Sequence, residues 1–542
     1  MFSYLARVLC ATAICCLTPI TLAAQRGWIE PTCRIGAGHS LVRGGLMHLI
    51  RAAETPHEEE RESRLRHANR VLIQAITERE QDENPAAWYY LGRYYVIQGD
   101  GWGADSAFRR AVDLKPECED DVRTYRTDIH RQTLGTAHTN WGDGNLDSAE
   151  NYFRLAIVVD PDDPRGLLDF GMMLSQSQEL DSAAKYVYAG IEAAGDDTVY
   201  ASGIKRGLSA LVGGYQQMAY QGGELLQLPQ LRQRRDSIAQ SIDADSTHLA
   251  EIVGRVEEIR ARGQHLNEQS RRAFERESTV TTTRLIASRT VRDSLSRAVA
   301  AKGQAAAAAA GPAIEALRAY VNRYPQETDA ATNLARMLSA LGYSRALDSL
   351  VSRIIEAEGV SGLQLAQIGI GLLNDGQHRS AVRMLDAGLT RTPNMLIPLL
   401  TLARAYYFLR EAEPLTRTAK RLLDIDPLSS NSLRMMAAAW DLQGNSDSVS
   451  KYVQLADGGI QWNVSVSQFR PTEQSTVVNG RVRNTVNQTL APITLLFDFL
   501  GSGGEVLFSE AVEVPELPPG GSHSISIRLQ QGGAVAWRYR KQ

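Results

Sequence analysis

The chain has 542 residues, more than a single hydrophobic core accommodates, which predicts roughly two to four structural units. Hydrophobic residues make up 43% and charged residues 22%, a composition typical of globular proteins that excludes general disorder. The formal net charge of -4 offers no basic surface for DNA or RNA, so no nucleic-acid partner is expected.

The first 24 residues have the layout of a secretory signal peptide. One basic residue, Arg7, precedes an apolar run from Val8 to Ala24, and small residues stand just before Gln25. We therefore predict an exported protein, periplasmic, extracellular or associated with the cell envelope, whose leader is cleaved around Ala23 or Ala24. No transmembrane span is expected in the mature chain.

Two alternatives to a cleaved leader stay open. The leader could be retained as an anchor, although 17 apolar residues interrupted by Pro19 are short for a membrane span, or a lipid could be attached at Cys15 or Cys16. Three of the five cysteines lie in the leader, so the mature chain keeps Cys33 and Cys118. In an oxidising compartment these two either form a disulfide or stay as separate buried thiols.

Residues 85–118 contain two amphipathic helical patterns separated by a glycine-rich break at 99–101. Gly92 and Ala104 are small enough to let the two helices approach closely. Large residues fill the space around the crossing: Trp88, Leu91, Tyr95 and Phe108. Pro116 ends the second helix. This pattern resembles the tetratricopeptide repeat, a 34-residue helix-turn-helix unit with a small residue at its eighth position.

The same spacing recurs along the chain. About one unit further on, we assign the second-helix positions to Gly144, Ala149, Phe153, Ala156 and Pro161. Together with a third unit near 164–197 and an irregular first unit upstream, these two units predict an N-terminal array over residues 39–197. Further units near 328–361, 362–395, 396–429 and from 430 onward predict a second array over residues 312–457, giving seven or eight units in all.

A unit of this size cannot bury its apolar face alone, so stacked units share one elongated core and form an α-solenoid. The resemblance implies that a protein or peptide partner binds along the concave surface as an extended peptide or a helix. We predict that the contacts come from side chains that the packing between helices does not require: Tyr89, Arg93, Asn140, Arg336, Gln367, Arg404 and Tyr407.

Residues 198–311 fit no 34-residue register and form a predicted helical insert. Apolar residues at alternating three- and four-residue steps over 231–266 indicate long helices with a narrow seam, packed as a coiled-coil-like hairpin or used for self-association. Overlong repeat helices within the solenoid are the alternative. We expect a bend at the polar run 275–283, and the alanine run 305–310 favours either a helix or a flexible connector.

Residues 460–542 alternate apolar and polar side chains in short runs divided by Gly, Pro and Asn, which predicts a small β-sandwich of six or seven strands. The segments "VNGRVRN", "ITLLFDFLGSGGEVL" and "ELPPGGSHSISIRL" resemble immunoglobulin-like modules of bacterial envelope proteins, including the FxLYD type. The predicted fold class is mainly α: a solenoid of tetratricopeptide units with a long-helix insert, followed by this all-β domain.

No catalytic, metal or cofactor motif is complete. "GHSLV" has Val42 in place of the final Gly of a nucleophile elbow. "DGNLD" begins like a calcium loop, but Ser148 takes the Gly position and Arg154 the closing Glu position. We therefore predict no enzyme, no cofactor and no metal site.

The function hypothesis that fits these patterns is an exported scaffold or adaptor that binds proteins or peptides and organises a cell-envelope complex. The alternative is an envelope enzyme or sugar-handling protein whose site lies in the helical insert or in the β-sandwich. Carboxylates clustered with a tyrosine or tryptophan platform in one pocket would favour that alternative.

Overall fold

The structure is a computed structural model that describes residues 28–542. The predicted leader, residues 1–24, lies outside the described residues. The chain divides between Gly207 and Leu208 into two compact units. Within the described residues, no helix is both long enough and apolar enough to cross a bilayer.

The first unit is built from helical hairpins. Its helices pair in chain order, α1 with α2, α3 with α4, α5 with α6 and α7 with α8. Their bounds are α1 Ser40–Glu54, α2 Glu58–Glu78, α3 Pro85–Gln98, α4 Gly101–Leu114, α5 Glu119–Gly142, α6 Leu146–Val159, α7 Pro164–Gln176 and α8 Leu180–Ala194. Helix α9, Ala201–Gln221, starts in the first unit and ends in the second.

The hairpin of α3 and α4 shows why the sequence folds in this way. Asn84 caps α3 by accepting a hydrogen bond from the amide of Ala86, and Gly99 ends the helix at φ 72°, where a side chain would be strained. A Cβ atom at Gly92 would lie 2.7 Å from Cδ1 of Phe108, so only glycine allows this approach. The predicted packing of small residues of one helix against large residues of the other is confirmed.

The spacing of the next unit differs from the prediction. Gly99 and Gly144 are 45 residues apart rather than about 34, and the other assigned positions share this offset. The cause is α5, which has 24 residues whereas α3 has 14. The second helix of the unit keeps its packing positions, since Ala149, Phe153 and Ala156 are fully buried.

The second unit contains two long helices followed by further hairpins. The long helices are α10 Glu224–Ala261 and α11 Glu268–Arg323. The others are α12 Thr328–Leu341, α13 Ser344–Glu356, α14 Gly362–Asn374, α15 His378–Arg391, α16 Leu396–Leu409, α17 Ala412–Ile425, α18 Ser430–Leu442 and α19 Ser446–Gln454. The predicted α-solenoid with a long-helix insert is confirmed.

Helices α10 and α11 pack against each other along their length as an antiparallel pair. Asp245 pairs with Arg284, and His248 pairs with Glu277 nearer the tip. The chain reverses at residues 262–267, so the bend predicted at 275–283 is wrong, and that run lies inside α11. The alanine run is helical, and α11 continues through residue 311, where we predicted the insert to end.

The C-terminal domain consists of two three-stranded antiparallel sheets, ordered β1-β2-β5 and β4-β3-β6. The strands are β1 Trp462–Pro471, β2 Thr476–Asn484, β3 Ile493–Leu500, β4 Val506–Val514, β5 Ser522–Leu529 and β6 Ala536–Lys541. Side chains from both sheets, such as Val482 and Phe497, share one core, as predicted for a sandwich. Backbone hydrogen bonding from Val464 to Leu428 attaches this domain to the loop after α17.

Candidate functional site

The second unit carries a polar groove on one face of its repeats. Asn333 and Gln367 hold the sixth position of successive 34-residue units, and Arg336 and Ile370 hold the ninth. These side chains line a cavity of about 490 Å³ together with Asp329 and Asn374. Because equivalent positions of neighbouring helices meet there, α12 and α14 present one continuous surface.

A second cavity, of about 860 Å³, adjoins the first, and Arg336 lines both. Its far wall is the start of α10, where Pro229 and Leu226 supply an apolar patch and Leu226 is 60% exposed. Arg232 fixes this wall by donating hydrogen bonds to the carbonyls of Ala340 and Leu341, at 2.6 and 2.7 Å. We call the two cavities together the groove.

Arg336 is the central charge of the groove. Its Nε lies 3.2 and 3.1 Å from the two carboxylate oxygens of Asp375, and its Nη1 donates to Oδ1 of Asn333 at 3.1 Å. Burial raises the pKa of the Tyr220 hydroxyl; the charge of Arg336 lowers it and that of Asp375 raises it, each by a smaller amount. The guanidinium is thus held in place while its other N–H donors remain for a ligand.

The predicted contact residues of the second unit fall into two groups. Arg336 and Gln367 line the groove. Arg404 and Tyr407 lie on α16 and are exposed, but they do not line either cavity. Tyr407 instead makes an edge contact with Phe408, whose ring stacks on His378 at 4.8 Å.

The predicted contact residues of the first unit are not open surface. Tyr89 is 1% exposed and packs edge-on against Phe108 of α4, so its face is required for helix packing. Arg93 is 7% exposed because Trp28 covers it, with the guanidinium 3.5 Å from the ring centre. Asn140 is half-buried and donates to the carbonyl of Thr136 in its own helix. The expectation that Tyr89 and Arg93 lie on free faces is therefore wrong.

Sequence reasoning missed several groove residues. Asn333 stands 34 residues before Gln367, so the repeat period could have found it. Asp375 follows the end of α14, in a turn that carries no periodic signal. The wall formed by Leu226 and Arg232 depends on where α10 lies against α12, which no local pattern encodes.

Cys33 and Cys118 form a disulfide, with Cα atoms 4.9 Å apart. This settles the choice between a disulfide and two free thiols. The bond joins the segment before α1 to the short turn before α5.

Among the described residues, one group of metal-ligating side chains lies close together. It comprises His130 of α5 and two loop carboxylates, Asp160 and Asp163, whose ligand atoms lie within 4.8 Å of one another. However, both carboxylate oxygens of Asp163 accept hydrogen bonds from Arg165. A guanidinium on this carboxylate disfavours a second cation, so we assign no metal to the group.

Comparison with known proteins gives no family assignment. No protein-family model matches the chain, and no curated protein matches it. Among solved structures, yeast Tom70 has 10% identity and a TM-score of 0.20, covering 70% of this chain and 92% of its own. A tetratricopeptide repeat protein from Parabacteroides merdae has 11% identity and a TM-score of 0.18, covering 67% and 99%.

The Cut9-Hcn1 hetero-tetramer of the APC/C has 11% identity and a TM-score of 0.23, covering 77% of this chain and 96% of the matched chain. TM-scores this low carry no argument, so the fold class rests on the helices and strands of the chain itself. The class of protein that they define is a helical-repeat protein with a C-terminal β-sandwich.

Proposed function

We propose that the protein is an exported scaffold or adaptor that binds a protein partner in the groove of its second unit. The observation that carries the proposal is the groove itself, which joins a polar part, around Arg336 and Asn333, to an apolar wall at Leu226. Side-chain amides form hydrogen bonds with the main chain of a peptide, and an apolar wall accepts one or two of the side chains of that peptide. An extended peptide segment is the ligand that uses both.

Export is part of the proposal and has two supports. The first 24 residues have the layout of a signal peptide. The Cys33–Cys118 disulfide suits an oxidising compartment such as a periplasm or the extracellular space. In this proposal the C-terminal sandwich is an immunoglobulin-like module of the FxLYD type, and the complex that the protein organises belongs to the cell envelope.

Site-specific crosslinking tests where the partner binds. A photoreactive amino acid is placed at Gln367 or Asn374 in the groove, and at Arg379, which is exposed on α15 and lines neither cavity, as the matched control. Crosslinking in native envelopes followed by mass spectrometry is expected to give one defined partner from both groove positions. Equal capture from Arg379 would contradict the proposal.

A charge reversal tests which residues bind. Arg336→Glu is expected to reduce capture about tenfold or more, because a guanidinium anchor is lost and an anion is added. Arg379→Glu makes the same charge change outside the groove and is expected to leave capture unchanged. Arg404→Glu shows whether the site extends to α16. Melting temperatures of all three variants separate loss of binding from loss of folding.

A further inference from the structure

Residues 28–38 lie on the first unit as an irregular segment with a turn at Thr32 and Cys33 and a positive φ at Arg34, and side chains of the helical array bond to its main chain. Four side chains donate to its carbonyls, each from a different point of the helical array. The hydrogen bonds are Arg93 Nη1 to Ile29 (2.7 Å), Tyr90 Oη to Ile35 (3.3 Å), Asn84 Nδ2 to Ala37 (3.2 Å) and Lys115 Nζ to Arg34 (3.3 Å).

Asp121 of α5 bonds to the backbone amides of the segment rather than to its carbonyls. Its carboxylate accepts hydrogen bonds from the backbone amides of Thr32, at 3.1 Å, and Cys33, at 2.8 Å. Side chains of the first unit thus bond both carbonyl and amide groups of the segment. Contacts of this kind depend little on which side chains the segment carries.

Two side chains of the segment are anchored more specifically. The Trp28 ring stacks on the guanidinium of Arg93 and lies 6.3 Å from the ring of Tyr90. Ile35, seven residues later, is buried in the core of the first unit. An arginine stacked on an aromatic ring is a strong recognition element, because the cation and the ring face attract each other.

The repeat register shows which face the segment covers. Tyr90 and Arg93 hold the sixth and ninth positions of the unit 85–118. In the second unit the same positions, such as Gln367 and Arg336, line the groove. The segment therefore lies on the face of the first unit that corresponds to the open, ligand-accessible face of the second.

We propose that the face around Tyr90, Arg93 and Asp121 is a second peptide-binding site, and that residues 28–38 are its intramolecular occupant. The site takes a peptide that carries an aromatic residue and, seven positions later, an aliphatic one, with a turn between them. The Cys33–Cys118 disulfide keeps the occupant at high effective concentration, so the oxidised chain excludes competing peptides. This inference uses the groove of the second unit only to compare repeat positions and does not depend on a partner binding there.

Binding in trans tests the site. The protein is the chain lacking residues 28–38 with Cys118→Ser, and the probe is a fluorescein-labelled peptide of residues 28–38 with serine in place of Cys33. We expect saturable binding by the truncated chain and none by the intact oxidised chain. Trp28→Ala in the peptide and Arg93→Leu in the protein are each expected to weaken binding about tenfold or more. No binding by a truncated chain that melts cooperatively, or equal binding by the intact chain, would overturn the proposal.

A second measurement covers the case in which truncation prevents folding. In the full chain with Cys33→Ser and Cys118→Ser, the segment is held without a covalent bond. Hydrogen exchange at the Thr32 amide is then followed while unlabelled peptide is added. We expect exchange of Thr32 to rise with peptide concentration while α3 and α4 keep their protection. Exchange that does not respond to saturating peptide would show a fixed structural strap and would overturn the proposal.

Discussion

The Tyr539 hydroxyl of β6 donates a hydrogen bond of 2.7 Å to Oδ1 of Asp426, and it also accepts one from the amide of Leu428. Tyr539 is 1% exposed and Asp426 6%, so this contact between the sandwich and the end of α17 is dry. Burial raises the pKa of Asp426 to about 6, although hydrogen bonds from Tyr539 and Ser429 act against that increase. The β domain is therefore fixed to the last repeats of the second unit by a carboxylate that is costly to ionise.

Asp426→Asn is expected to change how the stability of the second unit depends on pH. Folding raises the pKa of Asp426 from 3.8 to about 6. Between these pH values the carboxyl group is therefore protonated in the folded state but ionised in the unfolded chain. The contribution of this proton to the free energy of unfolding is fully present below about pH 4. It is lost as the pH rises through 6, and the loss is on the order of 3 kcal/mol. Asparagine keeps the acceptor oxygen and cannot ionise, so the variant should not show this loss.

Urea unfolding at pH 5 and pH 7.5 measures the effect on the free energy of unfolding. Asp424→Asn, the same change at an exposed carboxylate two residues away, is the control and should retain the wild-type pH dependence. If Asp426→Asn retains it as well, the buried carboxylate does not govern the contact.

Gly92 and Gly135 are both helical glycines, and we expect the same substitution to act on them in opposite directions. At Gly92 an added methyl group meets fully buried Phe108 at 2.7 Å, so Gly92→Ala should destabilise by about 1–3 kcal/mol. At Gly135, inside α5, nothing lies within 4 Å. Gly135→Ala should therefore stabilise by about 0.5–1 kcal/mol through helix propensity. Chemical denaturation measures both, and two changes of the same sign would contradict the packing argument.

The repeats could be predicted from the sequence because each needs a small residue opposite a large one 16 positions later. Gly92 with Phe108 and Gly369 with Leu385 are such pairs, and both are close contacts in the structure. The sandwich was predictable for a similar reason, since alternation within a strand is local. The six strands and their two sheets follow that alternation.

What the sequence did not predict depends on contacts between distant segments. Arg93 looked available because its position in α3 is not used by α4, but Trp28, 65 residues earlier, covers it. The groove wall likewise depends on Arg232 reaching the carbonyl of Ala340, more than 100 residues later. The candidate residues Arg336 and Gln367 lie where the repeat register placed them, because their neighbours along the groove are other repeats.

Asp245, in the seam of α10 and α11, forms an ion pair with Arg284, which is exposed beside it. Asp245 is buried at a position where neighbouring seam residues, such as Ile242, are apolar, and Arg284 Nη2 lies 2.6 Å from its Oδ1. Arg284→Ala should destabilise by about 1–3 kcal/mol, because it leaves a buried carboxylate without its cation. Asp245→Leu should be neutral or stabilising, since leucine continues the apolar seam and the exposed Arg284 stays solvated. Hydrogen exchange in α10 reports the effect, and equal loss in both variants would show that the pair itself stabilises the hairpin.

His130 of α5 gives the first unit a pH dependence opposite to that of the second. Its ring is 2% exposed, and Nδ1 lies 3.6 Å from a carboxylate oxygen of Asp160 and of Asp163, with Arg165 beside them. Burial lowers the pKa of His130, and the two carboxylates only partly offset this. The unfolded chain therefore binds the proton more readily, so stability is complete above about pH 6.5 and falls as the pH decreases.

His130→Gln should remove that acid-induced loss, whereas His57→Gln, at an exposed site before α2, should leave it unchanged. Hydrogen exchange at pH 7.5 and pH 5.5 resolves the two units within one sample. On acidification, amides of α5 and α6 should lose protection, because buried His130 must accept a proton. Amides of β3 and β6 should gain protection, because the buried carboxylate of Asp426 regains its proton. A His130→Gln variant whose first unit still weakens at pH 5.5 would assign the acid sensitivity to other groups.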